Sequence, residues 1–288
     1  MASSLVKLAH FFSTHPLTRR APLKAWARFF SWQVRSRLKE EVVVPWLAGQ
    51  RLAVRRGMTG ATGNIYAGLH EFTDMMFVLH FLRKGDLFLD VGANVGSYTI
   101  LASGVCRAAV WAFEPDPNTV RSLQRNVELN DLSSLVTVYE LALGSTEGEV
   151  PFTVGQDTVN RVATNAGDRN IRLVNQQRLD QLNCADAQPI MIKMDVEGYE
   201  EEVLRGAQRV IANETLKVIA IEWPNSSIVE LLNSLRFTRV YYNPFARKLQ
   251  TTPADTFSSP NALFVRDWEF ARSRLATADR IAVLGHSI

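Results

Sequence analysis

The sequence predicts an α/β fold in which a mostly parallel sheet carries helices on both faces. From about Gly85 onward, short apolar segments alternate with amphipathic ones, a pattern typical of such sheets. Four acidic residues each end an apolar segment: Asp90, Glu114, Asp195 and Glu222. Because the carboxyl ends of parallel strands meet at one edge of a sheet, we expect these carboxylates to border one crevice.

The first two predicted strands are Leu87–Asp90 and Val110–Phe113. A glycine-spaced turn follows the first strand and leads into a helix predicted over Val95–Ser103. Asp116 is a suitable N-cap for the next helix, because its side chain can accept from free N–H groups and Pro117 suits the first helical position.

The middle of the chain predicts a third strand over Val136–Leu143 and a short extended segment over Glu149–Val154. Residues 155–178 are polar and rich in Asn, and we interpret them as a long loop or lid over the strand ends. A fourth strand is expected over Ile190–Met194. The helix after it opens with Glu200–Glu202, three acids that suit the positive end of a helix dipole.

The last part of the chain predicts a fifth strand over Val218–Ile221. Two closing strands are expected over Phe237–Tyr242 and Ala262–Arg266, separated by a proline-containing loop.

Charge divides the chain into a basic N-terminal segment and an acidic remainder. Residues 1–56 contain eleven Lys or Arg and two acids, a net charge of +9, so the remainder carries −6 within a total of +3. Aromatic and aliphatic residues recur at helical spacing in this segment. We favour a helical extension that packs its aromatics on the domain, and the alternative is a basic amphipathic helix on an anionic membrane surface.

Other features of the sequence favour a cytoplasmic protein, with peripheral membrane contact through residues 1–56 as an option. Cys106 and Cys184 lie far apart and suggest two buried, inert thiols in a reduced compartment. No apolar run is long enough to span a bilayer. We do not expect a secretory signal, because charged and His residues interrupt the apolar segment near the N-terminus. An organelle presequence is an alternative, since the segment is rich in Arg and poor in acids. The oligomeric state does not follow from the sequence.

Glu114 and the glycine turn together predict a site for a ribose-bearing cofactor. A carboxylate has lone pairs for both hydroxyls of one ribose, and Glu114 lies one strand beyond the turn, where an acid binds ribose in dinucleotide folds. Gly92 and Gly96 lack a Cβ, so the backbone can turn tightly and approach a ligand. The helix start near Val95 presents N–H groups that suit an anionic group.

Four motifs in order resemble the FkbM family of methyltransferases: DVGANVG at 90–96, FEP at 113–115, ALG at 142–144 and IKMDVEGYE at 192–200. The resemblance also includes GNIYAGLHEF at 63–72 and extends from about Gly57 to Val265. It implies a class I S-adenosylmethionine-dependent methyltransferase, a Rossmann-like fold with a seven-stranded sheet whose last strand is antiparallel. We therefore divide the chain into an N-terminal extension (1–56), a catalytic domain (57–268) and a C-terminal tail (269–288).

The resemblance also implies roles for individual residues. Asp195 and Glu197, in the DVEG signature with Gly198, would lie beside the transferring methyl group. The residues implied in binding the cofactor are Asp90, Gly92, Ala93, Asn94, Gly96, Glu114, Pro115, Ala142 and Leu143.

The family is associated with O-methylation of hydroxyls on sugars and other natural products, so we expect a small-molecule or glycan hydroxyl as acceptor. Asp195 would act as base or as orienter of the acceptor, and as a base it needs a pKa raised by burial. Lys193 points the same way on an alternating strand and could pair with it. Alternatively, Asp195 and Glu222 could hold Mg²⁺ through their oxygens.

Three other functions compete with this one. A nicotinamide-dependent oxidoreductase also needs a glycine turn and a ribose acid, but the three-glycine pattern for a pyrophosphate is missing. A nucleic-acid methyltransferase could use the basic segment to bind phosphates, although the acidic remainder makes nucleic acid an unfavourable partner. A non-catalytic protein of the same fold would be expected to have lost the cofactor turn or Glu114, and both are present.

Overall fold

The computed structural model describes residues 2–155, 160–163, 169–182, 187–253, 259 and 261–288, with side chains from Leu5 onward. Its helices and strands, in chain order, are α1 (Ala2–Thr14), α2 (Pro22–Leu38), β1 (Glu41–Pro45), β2 (Arg51–Arg55), α3 (Thr59–Ala67), α4 (Phe72–Phe81), β3 (Leu87–Val91), α5 (Ser97–Ile100), β4 (Ala109–Phe113), α6 (Pro117–Leu129), β5 (Val136–Tyr139), β6 (Ala142–Leu143), β7 (Gly148–Thr153), β8 (Ile171–Gln177), β9 (Met191–Met194), α7 (Glu200–Arg205), α8 (Gln208–Ala212), β10 (Val218–Glu222), α9 (Ser226–Ser234), β11 (Thr238–Asn243), β12 (Lys248–Gln250), β13 (Asn261–Val265), α10 (Trp268–Ala276), β14 (Ala282–Val283) and β15 (His286–Ser287).

The central sheet has the strand order β12-β11-β13-β10-β9-β3-β4-β5. In this sheet β5, β4, β3, β9 and β10 are parallel to one another, and β13 is antiparallel to β10. This confirms the mostly parallel class I sheet with an antiparallel last strand. The described sheet has eight strands rather than seven, because the short β12 folds back on β11 within the segment interpreted as a loop.

Helices cover both faces of the sheet, as predicted. Phe88 of β3 joins the core cluster formed with α4, α6 and α10, whereas Leu89 joins the cluster formed with α7, α8 and α9. All five residues of β3 are buried, and burial on both faces explains why the sequence there is a nearly continuous apolar run.

The helix expected at Val95 begins two residues later. Gly96 takes a left-handed conformation at φ +89°, α5 starts at Ser97, and a wider π-helical turn continues over Leu101–Val105. The next helix was predicted correctly: α6 starts at Pro117, and the Asp116 side chain accepts a hydrogen bond from the Asn118 N–H at 3.1 Å.

The prediction of one strand over Val136–Leu143 was wrong. The main-sheet strand ends at Tyr139, and β6 pairs with β8 in a separate three-stranded sheet of order β6-β8-β7. The interpretation of residues 155–178 as a long loop was also wrong over Ile171–Gln177, because these residues form strand β8. Residues 156–159 and 164–168 of that segment lie outside the described part.

The N-terminal helices pack their aromatics on the main domain, as favoured. Phe12 is fully buried, with its ring 5.1 Å from Trp26 and 6.1 Å from Tyr66 of α3 between centroids. Arg28 donates from Nε to the Tyr66 carbonyl oxygen at 2.7 Å. Residues from this segment therefore share the core cluster that contains Phe88, while the domain boundaries remain predictions.

Two further observations concern membrane-spanning helices and the cysteines. Among the described residues, no helix combines the length and apolarity needed to cross a bilayer. The Cys106 thiol contacts the Val78 carbonyl oxygen at 3.8 Å, and burial raises its pKa to about 12, which disfavours the reactive thiolate. Cys184 lies outside the described residues.

Candidate functional site

A cavity of about 240 Å³ opens at the carboxyl ends of β3, β4, β9 and β10. It brings together nearly all the predicted site residues: Asp90, Gly92, Ala93, Asn94, Glu114, Pro115, Ala142, Leu143, Asp195, Glu197 and Glu222. Gly96 is the exception and does not line the cavity. The four strand-end carboxylates therefore do border one crevice.

The two glycines of the turn make room for protein atoms. A Cβ on Gly92 would lie 1.9 Å from the Asp195 carbonyl oxygen, and one on Gly96 would lie 2.4 Å from Leu123 Cδ1. Both residues have positive φ, +77° and +89°. Gly92 thus lets the β3 turn press against the end of β9, which fixes the spacing between the two strand ends.

The backbone N–H groups of this turn are already used within the protein. Gly92 and Ala93 both donate to the Phe113 carbonyl oxygen, at 3.0 and 2.9 Å, and Val95 donates to the Asn94 side chain at 2.7 Å. The turn amides therefore have internal partners, and the helix start that was expected near Val95 to present N–H groups to an anionic group lies at Ser97 instead.

Glu114 is buried and held from both sides. Its Oε2 accepts from the Asn94 N–H and its Oε1 from the Asp116 N–H, each at 3.0 Å. Burial raises the pKa of Glu114 to about 7, although the two N–H groups oppose this. Each oxygen keeps a lone pair for another donor, so the carboxylate can bind two neighbouring hydroxyls.

Asp90 lines the cavity, and one of its two carboxylate oxygens is buried and unsatisfied. Oδ2 accepts from the Thr99 hydroxyl at 2.6 Å, whereas Oδ1 is buried and has no hydrogen-bond partner among the described residues. Burial raises the pKa of Asp90. A buried acceptor without a donor is costly, so a bound donor, above all a cationic one, would be stabilised here.

Lys193 pairs with Asp195, as the sequence suggested. The Nζ atom donates to Asp195 Oδ2 at 2.9 Å and lies 4.6 Å from the centre of the Tyr98 ring. Burial alone would lower the pKa of Lys193, but Asp195, Glu71 and Asp90 outweigh it and raise the pKa.

Asp195 therefore stays ionised. Burial alone would raise its pKa, but the Lys193 ammonium outweighs this and lowers the pKa. The raised pKa that a basic Asp195 requires does not occur, and the geometry suits an acceptor of hydrogen bonds better than a proton-abstracting base.

The pKa of Glu222 is shifted in the opposite direction to that of Asp195. Burial and the neighbouring Asp195 charge raise the pKa of Glu222 to about 8. Its Oε1 also accepts from the Trp223 indole N–H at 3.1 Å. Trp223 is 75% exposed and has a positive φ of +43°, which is unfavourable for an aromatic residue.

The proposed metal ligands fit Mg²⁺ poorly. One oxygen from each of Asp195, Glu197 and Glu222 lies within 4.8 Å of the others, a spacing that a cation could bridge. However, the Lys193 ammonium pairs with Asp195 at 2.9 Å and brings a positive charge to the cluster. This positive charge reduces the excess negative charge that favours a hard cation.

A tight turn carries Glu197 beside the cavity. Glu197 and Gly198 both have positive φ, +53° and +95°. The buried Glu200 carboxylate accepts from the Val196 and Gly198 N–H groups at 3.3 and 3.2 Å. Glu200 thus holds the turn in place, a role more specific than the helix-dipole role expected of it.

Two residues that were not predicted from the sequence support Lys193. Tyr98 donates from its hydroxyl to Glu71 Oε2 at 2.6 Å, and both residues line the cavity. Glu71 lies within the GLHEF stretch of the family resemblance, which was the available signal for it.

The family described as "Methyltransferase FkbM domain" matches residues 90–239, slightly more than half of the chain. This chain belongs to the FkbM methyltransferase family. S-adenosylmethionine is the cofactor of the family. The matched range includes Asp90, Glu114, Asp195 and Glu222, so the FkbM region contains all four strand-end acids.

Named relatives are similar to parts of this FkbM chain. Hexuronic acid methyltransferase AglP of Haloferax volcanii is 28% identical over 142 residues, covering 48% of this chain and 57% of AglP. Methyltransferase sdnD of Sordaria araneosa is 25% identical over 198 residues, covering 57% and 76%. A crystal structure of methyltransferase FkbM from Methylobacillus flagellatus aligns with a TM-score of 0.44 and 20% identity, covering 83% of this chain and 59% of that one. This chain thus spans less than two thirds of AglP and of the crystallised FkbM chain.

The contact between Gly92 and the Asp195 carbonyl can be tested by Gly92→Ala, with Gly85→Ala as control. Gly85 has a similar φ of +90° and no atom within 4 Å of its Cβ position. The control should lower the free energy of unfolding by about 1–2 kcal/mol through backbone strain. Gly92→Ala should cost about 1–3 kcal/mol more through overpacking, measured by urea denaturation. Equal losses would contradict the close contact.

Proposed function

We propose that this FkbM methyltransferase transfers the methyl group of S-adenosylmethionine to a hydroxyl of a sugar, glycan or related natural product. The observation that carries the proposal is the arrangement of strand-end carboxylates in one cavity. Two of them, Asp90 and Glu114, suit the cofactor, and Asp195, held by Lys193, suits a hydroxyl acceptor.

Glu114 and Asp90 would hold opposite ends of the cofactor. The two free lone pairs of Glu114 match the two ribose hydroxyls. The unsatisfied Asp90 Oδ1 matches the ammonium of the methionyl part, because a charge-assisted hydrogen bond offsets its burial. Ala142 and Leu143 supply an apolar wall for the adenine.

The bound cofactor supplies an electrophilic methyl group on a sulfonium. Asp195 would accept a hydrogen bond from the acceptor hydroxyl and hold its oxygen in line with that methyl group. Lys193 fixes the carboxylate orientation through Oδ2. Glu197, on its constrained turn, would contact the acceptor or position the turn. As the new C–O bond forms and the S–C bond breaks, the hydroxyl proton becomes strongly acidic and would pass to the ionised Asp195 carboxylate and from there to solvent.

Two observations favour a sugar acceptor. AglP, a partial relative, is named as a hexuronic acid methyltransferase. Trp223 projects an exposed aromatic ring next to Glu222, which lines the cavity. An aromatic ring beside carboxylates offers an apolar surface and hydrogen-bond acceptors together, the combination that a polyhydroxylated ligand requires.

The oxidoreductase alternative has less support. A pyrophosphate needs free N–H groups at the glycine turn, and the Gly92 and Ala93 amides are bonded to Phe113. Membership of the FkbM family also favours methyl transfer.

The ribose role of Glu114 predicts pH-dependent cofactor binding. Hydroxyl donors stabilise the ionised carboxylate, so binding should lower its pKa from about 7 and release a proton below that pH. Affinity for S-adenosylmethionine should rise with pH up to about 7. Glu114→Gln should remove this component and weaken binding by about 1.5–3 kcal/mol, as measured by calorimetric titration.

Glu140→Gln is the matched control, because Glu140 is exposed and does not line the cavity. It should retain the wild-type affinity and pH dependence. A Glu114→Gln variant with the same affinity and pH dependence as the wild type would contradict the ribose assignment.

The acceptor class is tested by incubating the protein with labelled S-adenosylmethionine and a set of sugars, uronic acids and amines. Methyl transfer to a hydroxyl is expected. Asp195→Asn should lower kcat by about 10²-fold through loss of orientation, with cofactor affinity nearly unchanged. Transfer to amines alone, or full activity of Asp195→Asn, would contradict the proposal.

A further inference from the structure

Helix α2 exposes an apolar stripe along its outer face. Leu23, Phe30, Val34 and Leu38 are 81%, 59%, 59% and 78% exposed. They recur at spacings of seven, four and four residues, which places them on one side of a helix. The stripe is about 22 Å long at 1.5 Å per residue. A soluble helix normally turns such a face to its core, and α2 buries Ala25 and Trp32 on the opposite side instead.

Basic side chains surround this stripe. Lys24, Arg35 and Arg37 lie on the same helix and are exposed, and Arg19 and Arg20 are exposed just before it. No Asp or Glu occurs before Glu40, whereas residues 1–39 contain eight Lys or Arg. The outer face of α2 therefore combines apolar side chains with an uncompensated positive charge.

This combination fits an anionic lipid surface better than other partners. A second copy of the chain would bring two basic segments together, and their repulsion opposes pairing through this face. Nucleic acid would use the charges but would leave Leu23, Val34 and Leu38 without an apolar partner. A bilayer interface takes up the aliphatic and aromatic side chains and attracts the basic ones through its anionic headgroups.

We propose that the outer face of α2 docks on the surface of an anionic membrane and lies in the interface without crossing it. The inner face stays attached to the domain, because Arg28 donates to the Tyr66 carbonyl oxygen at 2.7 Å and the Phe29 ring lies 5.4 Å from the Tyr66 ring. Docking therefore needs no unfolding of the N-terminal segment.

Helix α3 links the inner face of α2 to the cavity. Tyr66, which contacts α2, belongs to α3, and the first residues of that helix, 59–61, line the cavity. Both α2 and α3 therefore lie between the docking face and the cavity. The inference does not depend on the identity of the methyl acceptor.

Co-sedimentation of the full chain with lipid vesicles tests the proposal. The protein should bind phosphatidylcholine vesicles that contain phosphatidylglycerol, bind vesicles of phosphatidylcholine alone weakly, and dissociate as salt rises. Leu23→Ser combined with Leu38→Ser should lower the partition coefficient by about 10²-fold, since both side chains lose apolar burial in the membrane interface. These two side chains are 81% and 78% exposed, so the thermal unfolding midpoint and S-adenosylmethionine affinity should stay unchanged.

The matched control is Ile171→Ser combined with Leu173→Ser, two similarly exposed apolar residues of β8. It should bind vesicles like the wild type. Normal vesicle binding by the α2 variant, or an equal loss of binding in both variants, would overturn the proposal. It would also be overturned if the wild type does not bind vesicles and the α2 substitutions instead abolish a dimer or a complex with RNA.

Discussion

The arrangement of the site depends on the attraction between the buried Lys193 ammonium and the carboxylates around it. Three carboxylates, those of Asp195, Glu71 and Asp90, lie near enough to raise its pKa despite burial. The ammonium in turn keeps Asp195 ionised and contacts the face of Tyr98. Without this cation, several acidic groups would share a poorly solvated crevice, and their repulsion would favour protonation.

Charge and backbone geometry act together at the same strand ends. Gly92 allows the β3 turn to touch the Asp195 carbonyl oxygen, and Glu200 holds the following turn through two N–H groups. These contacts set the distance between the region proposed for the cofactor and the region proposed for the acceptor. Such fixed spacing is what a displacement reaction requires, because the protein contributes mainly alignment and exclusion of water.

The sequence could predict the strand-end acids and the Lys193 pairing, because strand alternation determines which side chains share an edge. It could not show that Lys193 lowers the pKa of Asp195, since that result depends on burial and on charges from distant segments. Strand β8 was missed because its burial does not follow the usual rule of apolar side chains inside and polar ones outside. Leu173 is exposed, whereas Gln176 is buried and hydrogen-bonded to Thr146 and Tyr199. The sequence could not show why position 96 requires glycine, because the reason is the close approach of Leu123, which depends on how α6 packs.

A crystal structure of the complex with S-adenosylhomocysteine tests the central claim most directly. The account predicts that both ribose hydroxyls lie within hydrogen-bond distance of the Glu114 carboxylate and that the amino group lies at Asp90 Oδ1. A ribose bound away from Glu114, or an adenosyl group outside the crevice at the ends of β3 and β4, would contradict it.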